Sequence, residues 1–364
     1  MIPYHNHQAR KVGETVLKRI KALKIGQKMQ DLPEELWHES FRYYVKEDSN
    51  RQGGPNLRMI RLNPDQPSLT VTGYIYNKFV HPFYDRFITP REAARLQGFP
   101  DDLEFKGSLT SVQRQIGDAV PIELGEAIFR QLLHFAKNQN PQHTQFFAIS
   151  LFSGAGGLEI ANQHVCTSDN SHFKTVACVE IEKDRCDTLR GYFGDSFRIS
   201  QQDIRQVSTQ SLLHEANLQP QDITVVYGGP PCQSFSQAGK QKGQHDPRGE
   251  LIFEFLRVVK EINPPLFMME NVSNLKGIDK GRLLDAILAE MSDMGYHVTY
   301  GVLNSAHFGN AQKRQRLIFF GVDKKLNQTL DLPEATHVER HNLFGKPQFK
   351  TVAQALMGLP EQAD

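Results

Sequence analysis

The chain has 364 residues, 39% apolar and 23% charged, with 42 Lys and Arg against 41 Asp and Glu for a formal net charge of +1. That composition excludes a wholly disordered or collagen-like chain, and the length allows two domains or one large α/β domain with a satellite. No run of about 18 apolar residues is present, which excludes a transmembrane helix. The opening MIPYHNHQARK lacks the apolar core of a secretory signal, which predicts a cytoplasmic protein. Cys166, Cys178, Cys186 and Cys232 form no CxxC pair, so neither a metal site nor a disulfide framework is expected.

The near-neutral total hides an uneven distribution. Residues 1–28 carry Arg10, Lys11, Lys18, Arg19, Lys21, Lys24 and Lys28 against the single acid Glu14. Val12, Val16, Ile20 and Leu23 recur there at helical spacing, which predicts a basic amphipathic helix, a pattern most often no more than a solvated face. TPREAARLQGF (89–99) predicts a short helix with Thr89 as N-cap and Pro90 in its first turn. QIGDAVPIELGEAIFRQLLHF (115–135) predicts a turn and a long amphipathic helix, and the polar AKNQNPQHTQ (136–145) reads as a linker. Strands are then predicted at 146–152, 175–181, 223–229, 265–271 and 316–322, with helices at 182–193 and about 250–262. Strand and helix alternating in this way predict a doubly wound, mostly parallel α/β sheet.

Four short segments carry candidate chemistry. LFSGAGGLE (151–159) joins a strand to a helix through glycines, and Glu180 at the end of the next strand stands where an acid can bind ribose hydroxyls. Glu159 occupies the third glycine position of G-x-G-x-x-G, and an anion beside a pyrophosphate would be unfavourable, so a nucleoside without phosphate suits the turn better than NAD. Asp203 is placed to accept a bond from an adenine amino group. The alternative is a tight strand–helix turn with no ligand. YGGPPCQSFS (227–236) stiffens the chain after a buried strand and projects Cys232 from the sheet's carboxyl edge, where a thiolate can attack an electrophilic carbon. Without that context a lone cysteine is a small buried hydrophobe. MENV (269–272) brings Glu270 to the same edge as a proton donor for a ring nitrogen, or as a solvated strand end. QKRQR (312–316) puts Arg314 and Arg316 on one side of an extended chain, able to hold a phosphate, a carbonyl or a carboxylate.

Taken in order and spacing, these segments resemble the cytosine-5 DNA methyltransferases: LFSGAGGLE their cofactor motif, GGPPCQSFS their nucleophile loop, MENV their catalytic-glutamate motif and QKRQR their arginine motif. PSLTVTG (67–73), TPREAARLQGFPDD (89–102) and QIGDAVP (115–121) resemble segments that in the family lie near the carboxyl terminus. Here they precede the cofactor motif, which is the order of a circular permutation cut inside the recognition region. The resemblance implies a methyltransferase fold with a smaller target-recognition domain. It divides the chain into recognition segments at 1–85 and 325–364, motif segments completing the catalytic domain at 86–135, the linker at 136–145, and a cofactor-binding and catalytic core at 146–324.

It further implies S-adenosylmethionine as cofactor, cradled by Phe152, Ala155, Gly156 and Gly157. Glu180 and Ile181 would hold the ribose and Asp203 and Ile204 the adenine, with Gly229, Pro231 and Leu251 nearby and Asp118 and Val120 at the methionine end. Asp118 stands where the family has Asn, and Ala311 where it has Pro. Cys232 would be the nucleophile, Glu270 its partner, Arg316 would orient Glu270, and Arg314 would position Cys232. Thr70, Val71, Gln233, Lys240, Lys242 and Arg248 would contact DNA, the recognition region entering the major groove. The implied partners are double-stranded DNA and a restriction endonuclease acting on the same site, with the chain itself a bacterial, membrane-free monomer. A tRNA cytosine-5 methyltransferase and a catalytically silent DNA-binding regulator are the alternatives, and the recognition sequence is not legible.

Overall fold

The computed structural model describes residues 4–47, 59–73, 78–214, 216–232, 250–339 and 345–361, with Tyr44 described by its backbone alone. In chain order the first part contains α1 (Glu14–Ala22), α2 (Glu39–Lys46), β1 (Ile60–Arg61), β2 (Ser68–Leu69), β3 (Phe79–Val80), α3 (Pro90–Leu96), α4 (Leu109–Asp118) and α5 (Ile122–Gln139). The sheet region follows with β4 (Gln145–Leu151), α6 (Gly157–Gln163), β5 (His172–Glu180), α7 (Lys183–Phe193), β6 (Arg198–Gln201), α8 (Thr209–His214) and β7 (Ile223–Gly228). Then come α9 (Glu250–Ile262), β8 (Leu266–Val272), α10 (Arg282–Asp293), β9 (Tyr296–Asn304), β10 (Gln312–Lys313), β11 (Gln315–Asp323) and α11 (Val352–Leu356).

The central sheet has seven strands in the order β6-β5-β4-β7-β8-β11-β9. Pairings from β6 to β8 are parallel, and β11 runs antiparallel to both β8 and β9. The predicted doubly wound, mostly parallel sheet is therefore present. After β4 the chain winds outward through β5 and β6, then returns to lay β7 on the other side of β4. The two loops that leave β4 and β7 thus diverge, and the crevice between them is where open α/β sheets bind ligands.

Strand residues alternate between two cores, as the period of an extended chain requires. Met268, Ile318 and Phe320 face one layer with α5, α6 and α7, while Phe267, Met269, Leu317 and Phe319 face the other with α9 and α10. Residues between Ile60 and Ala136 belong to the first of these cores, so the segment ahead of β4 is part of the sheet's own packing. Helix α5 lies directly on α6, and Gly125 permits a close approach: a Cβ there would stand 2.6 Å from Ala161 Cβ.

Local chemistry accounts for several boundaries. Thr89 caps α3, its hydroxyl accepting from Glu92 N at 3.1 Å while Glu92 Oε2 accepts from Thr89 N at 2.7 Å, and Pro90 opens the helix as its spacing predicts. The basic segment forms α1, with Ile20 and Leu23 buried and Lys18, Lys21 and Lys24 exposed. Arg19 turns inward instead, donating from Nε to Leu36 O at 2.6 Å. Ile20, Leu23, Met29, Leu32 and Phe41 form a small separate core with Met59, Val80 and Phe87. The two ends of the described chain meet: Tyr4 Oη donates to Gly358 O at 3.4 Å, and His7 Nε2 lies 2.9 Å from Pro360 O.

Gly125→Val should destabilise the protein by about 1–3 kcal/mol, because the added carbons overpack the α5–α6 crossing. Urea denaturation of the variant beside the parent measures this, and an unchanged midpoint would show that the helices can separate without loss.

Candidate active site

A cavity of about 560 Å³ occupies the crevice between the ends of β4 and β7. Its walls include the end of α4, the turn after β4, the end of β5 with the start of α7, the loop after β6, the start of α9, and the ends of β7 and β8 with Arg314 and Arg316.

The glycine turn forms because β4 stops at Leu151 and the chain reverses through Phe152 (φ 57°), Gly154 (φ 58°) and Gly156 (φ 89°). A non-glycine residue in the left-handed region costs on the order of 1–3 kcal/mol, a strain that clusters at binding sites. Glu180 holds the turn in place: Oε2 accepts from Gly154 N at 2.8 Å, and Oε1 accepts from Ile181 N at 3.0 Å and Glu182 N at 2.9 Å. Gly157 lies against the 119–120 backbone, where a Cβ would come within 2.8 Å of Val120 O. That contact brings the segment ahead of β4 onto the turn.

On the opposite side, the register of β7 on β8 sets Gly229 beside Glu270, and a Cβ on Gly229 would lie 2.9 Å from Glu270 Oε2. Asn271 Nδ2 donates to Pro230 O at 2.9 Å, tying the prolyl turn to the end of β8. Cys232, half-buried, faces the same cavity. In the antiparallel pair, Ile318 stands opposite Glu270, and Arg316 is two residues along on the same face. Arg316 Nε accordingly lies 2.6 Å from Glu270 Oε1, an ion pair whose N–H is not aimed along the line to the oxygen. Burial raises the Glu270 pKa above the ordinary carboxylate value, against the opposing pull of Arg316 and Arg314. Arg314 is fully buried and its pKa falls to about 9 through desolvation and the nearby Arg316. Nη1 donates to Val71 O and Nη2 to Gly117 O, each at 2.6 Å.

Cys232, Glu270, Arg314 and Arg316 all line the cavity, as do Phe152, Ala155, Gly157, Glu180, Ile181, Asp203, Ile204, Gly229, Pro231, Leu251, Asp118 and Val120. Gly156 does not: it is the left-handed N-cap of α6, and a Cβ there would meet the Phe193 ring at 2.9 Å. Asp203 is held by Arg205, whose Nη2 donates to Oδ2 at 2.6 Å and whose hydrogen bonds lower the Asp203 pKa. Val71 is fully buried, so its part is to offer a carbonyl to Arg314, not to touch DNA. Thr70 donates to Lys313 O at 2.9 Å and lines an open cleft of about 460 Å³ that shares Val272 and Arg316 with the larger cavity. Gln233, Lys240, Lys242 and Arg248 lie outside the described residues.

The expectation for Glu159 is corrected. Its carboxyl does not face the ligand crevice but turns under the sheet, where Ser150 Oγ donates to Oε1 and Oε2 has no partner among the described residues. Burial raises its pKa from 4.5 to about 7. Sequence reasoning also missed Arg185, Ser153 and Asn271, all lining the cavity. Arg185 sits in the first turn of a helix whose sequence reads as an ordinary charged face. Asn271 stood in the MENV segment and could have been read as an anchor for the neighbouring loop.

The residues suit S-adenosylmethionine. The turn after β4 presents backbone to a ligand, exposed Ile181 (56% accessible) offers an apolar wall to a flat ring, and Asp118 and Arg185 put opposite charges at another part of the cavity. A glycine turn of this form, an acidic strand end and a cysteine on a prolyl turn, gathered at one switch point, define an α/β transferase built around a nucleoside cofactor. Residues 3–134 and 146–362 match the family described as C-5 cytosine-specific DNA methylase. The chain belongs to that family, whose members take their methyl group from S-adenosylmethionine.

Among curated relatives, the chain is 42% identical over 227 residues to Type II methyltransferase M.AquIA of Picosynechococcus sp., covering 58% of this chain and 88% of that protein. It is 39% identical over 215 residues to Type II methyltransferase M1.HphI of Haemophilus parahaemolyticus, covering 58% of this chain and 52% of that protein, so the match spans about half of the second relative. A solved structure titled as a putative DNA modification methyltransferase encoded within a prophage of E. coli aligns at 26% identity with a TM-score of 0.48, covering 59% of this chain and 56% of that one.

Because the folded pKa of Glu159 is raised, its stabilising contribution is complete below pH 4.5 and is lost as pH rises toward 7. Glu159→Gln should therefore gain on the parent between pH 5 and pH 8, by on the order of 3 kcal/mol at most. Urea midpoints across that range measure it, and parallel pH profiles for parent and variant would contradict the assignment.

Proposed function

We propose that this chain transfers a methyl group to carbon 5 of a cytosine turned out of a specific duplex DNA sequence, with Cys232 as nucleophile. What carries the proposal is the meeting of Cys232, Glu270 and Arg316 in the same cavity as the glycine turn. Phe152, Ala155, Gly157, Glu180, Ile181, Asp203, Ile204 and Leu251 would hold the nucleoside of S-adenosylmethionine, and Asp118 and Val120 its methionine end. When bound, the cofactor supplies an electrophilic methyl group.

Carbon 5 of cytosine is a weak nucleophile and is stacked inside the duplex, so the base must leave the stack at a cost of a few kcal/mol. The Cys232 thiolate adds to C6 while N3 takes the proton of Glu270, which leaves C5 an enamine carbon. The burial that raises the Glu270 pKa favours the protonated form this step uses. Once C5 carries the methyl group, its proton leaves to water, the C5–C6 double bond re-forms and the C6–S bond breaks. Cys232 departs as thiolate and N3 returns its proton to Glu270. Arg316 holds Glu270 in position, and Arg314 fixes the 71 and 117 backbone around the pocket. DNA would lie along the recognition segments, whose exposed Lys18, Lys21 and Lys24 suit phosphate contact. A companion endonuclease for the same sequence and action as a monomer belong to the same proposal.

We also propose that the chain is a circular permutation, divided into the recognition, motif, linker and core segments assigned above. Three observations support it. The family match breaks between residues 134 and 146, at the polar linker. Residues 4–7 lie against 358–360. The helix that ends before the break packs on the helix that follows β4, as neighbours within one sheet layer do.

Transfer of tritiated methyl groups to duplex DNA and to tRNA, with bisulfite sequencing of the product, tests the activity. Duplex DNA should be labelled at cytosine C5. Cys232→Ala should lower the rate by on the order of 10⁴-fold or more while cofactor affinity is kept. Turnover retained by the variant would remove Cys232 from the role, and labelling of tRNA alone would redirect the substrate. For the permutation, a chain running from residue 146 to 364, joined to residue 1 and ending at 135, should fold and methylate the same sequence. Its failure to fold would overturn the permuted order.

A further inference from the structure

Glu159 is a buried carboxyl in the first turn of α6 that does not line the crevice and has no part in the methyl-transfer chemistry. Ser150 Oγ, near the end of β4, donates to its Oε1, and Ser153 Oγ lies 2.9 Å from Ser150 Oγ. A carboxylate cannot donate and a hydroxyl has one proton. With Glu159 ionised the relay therefore runs one way: Ser153 donates to Ser150, and Ser150 to Glu159. Ser153 lines the crevice and stands between Phe152 and Gly154, the turn residues at φ 57° and 58°. Its N donates to Val179 O at 3.2 Å, and its O accepts from Gly156 N at 3.1 Å. Left-handed backbone of this kind keeps its shape only where the surroundings hold it. Glu180 holds the turn from one side through Gly154 N, and the Ser153–Ser150–Glu159 relay holds it from beneath.

Two buried oxygens below the turn have no donor among the described residues: Glu159 Oε2, and Asn162 Oδ1 three residues along on the same face of α6. The relay ends on a carboxyl that gains a proton easily. Burial brings the Glu159 pKa to about 7, helped by the charge of Glu180 and opposed by hydrogen bonds from Ser150 and Ser153. The other titratable groups that face it are Cys178 of β5 and Tyr227 of β7, both kept neutral because burial raises their pKa values. On α5, packed against α6, Glu126 is paired with Arg130 and His164, and Glu123 with Asn310 and Lys350. We propose that Glu159 is a positioning residue for the cofactor turn: its ionised form, acting through Ser150 and Ser153, draws the turn into the shape that binds the nucleoside, and protonation slackens it. A hydrogen bond to a charged acceptor is about twice as strong as one to a neutral acceptor, so the proton removes about half of the pull on Ser150 and, through it, on Ser153. The relay rests on the cofactor assignment and adds to it a control that lies outside the crevice.

Isothermal titration of the full-length parent and two variants with S-adenosylmethionine, from about pH 6 to pH 8.5, tests it. Titration of the ligand itself is common to all three proteins and cancels in the ratio of their affinities. Glu159→Gln, whose amide stays neutral, should bind within about twofold of the parent at the lower pH and about fivefold more weakly at the higher. Its urea midpoint should be no lower than the parent's, which separates positioning of the turn from a loss of folding. Ser153→Ala keeps the carboxyl and cuts the relay, so its affinity relative to the parent should fall with rising pH in the same way. Parallel profiles for parent and Glu159→Gln would overturn the proposal, as would a Ser153→Ala protein that keeps the parent's pH response. A parent protein that does not bind S-adenosylmethionine at any pH would instead overturn the cofactor assignment, and the relay with it.

Discussion

The site depends on one topological constraint: β4 and β7 are neighbours in the sheet although β5 and β6 separate them in the chain. Loops leaving two parallel neighbours usually run the same way, but here one turns back over the α6–α7 layer and the other over the α9–α10 layer. The backbone divides at that point and leaves a crevice no side chain needs to fill. The glycine turn and the Cys232 turn are the two lips of that crevice. Everything else in the site is arranged by what those two strands carry beside them: Glu180 by β5, Glu270 by β8, and Arg316 by β11, antiparallel to β8.

Burial then decides the electrostatics. Glu270 and Arg314 are both withdrawn from water, and desolvation shifts each toward its neutral form: the carboxyl upward, the guanidinium downward to about 9. Arg314 at that value is still charged near neutral pH, and its two Nη groups donate to the Val71 and Gly117 carbonyls. It therefore works as a rivet between three segments distant in the chain. Arg316, less deeply buried, pairs with Glu270. The same chemical type serves two purposes because one reaches backbone carbonyls from full burial and the other meets a carboxylate.

The early part of the chain is bound into the sheet by close backbone approach. Gly125 admits α6 against α5, and Gly157 admits the Val120 carbonyl against the cofactor turn. Ser68 N donates to Ala311 O, so β2 and β10 meet directly. Such contacts do not depend on the order in which the segments are connected. Residues 4–7 and 358–360 also lie close together, so the two ends of the described chain share one region of the surface.

Much of the site was legible because its chemistry is local. A strand, a glycine turn and a helix occupy adjacent residues, and a cysteine after Gly-Gly-Pro-Pro is stiffened by its own neighbours. Thr89 and Pro90 announced α3 for the same reason. The edge strand β9 was not legible: YHVTYGVLN is only partly buried and carries no strong apolar alternation. Nor was the fate of Glu159, since the period of a seven-residue helix does not say which side meets the sheet. Arg185 looked like one charge among several on α7. Val71 looked like a surface residue of a recognition segment, and only the fold put it in the core. The sequence by itself determined which residues are the candidates for the chemistry and the elements that present them, because propensity, turn geometry and motif spacing act over a few residues. The tertiary structure alone decided which of those side chains are desolvated, which carboxylates are already paired, and that Asp118 meets Arg185, because these depend on distances between segments far apart in the chain.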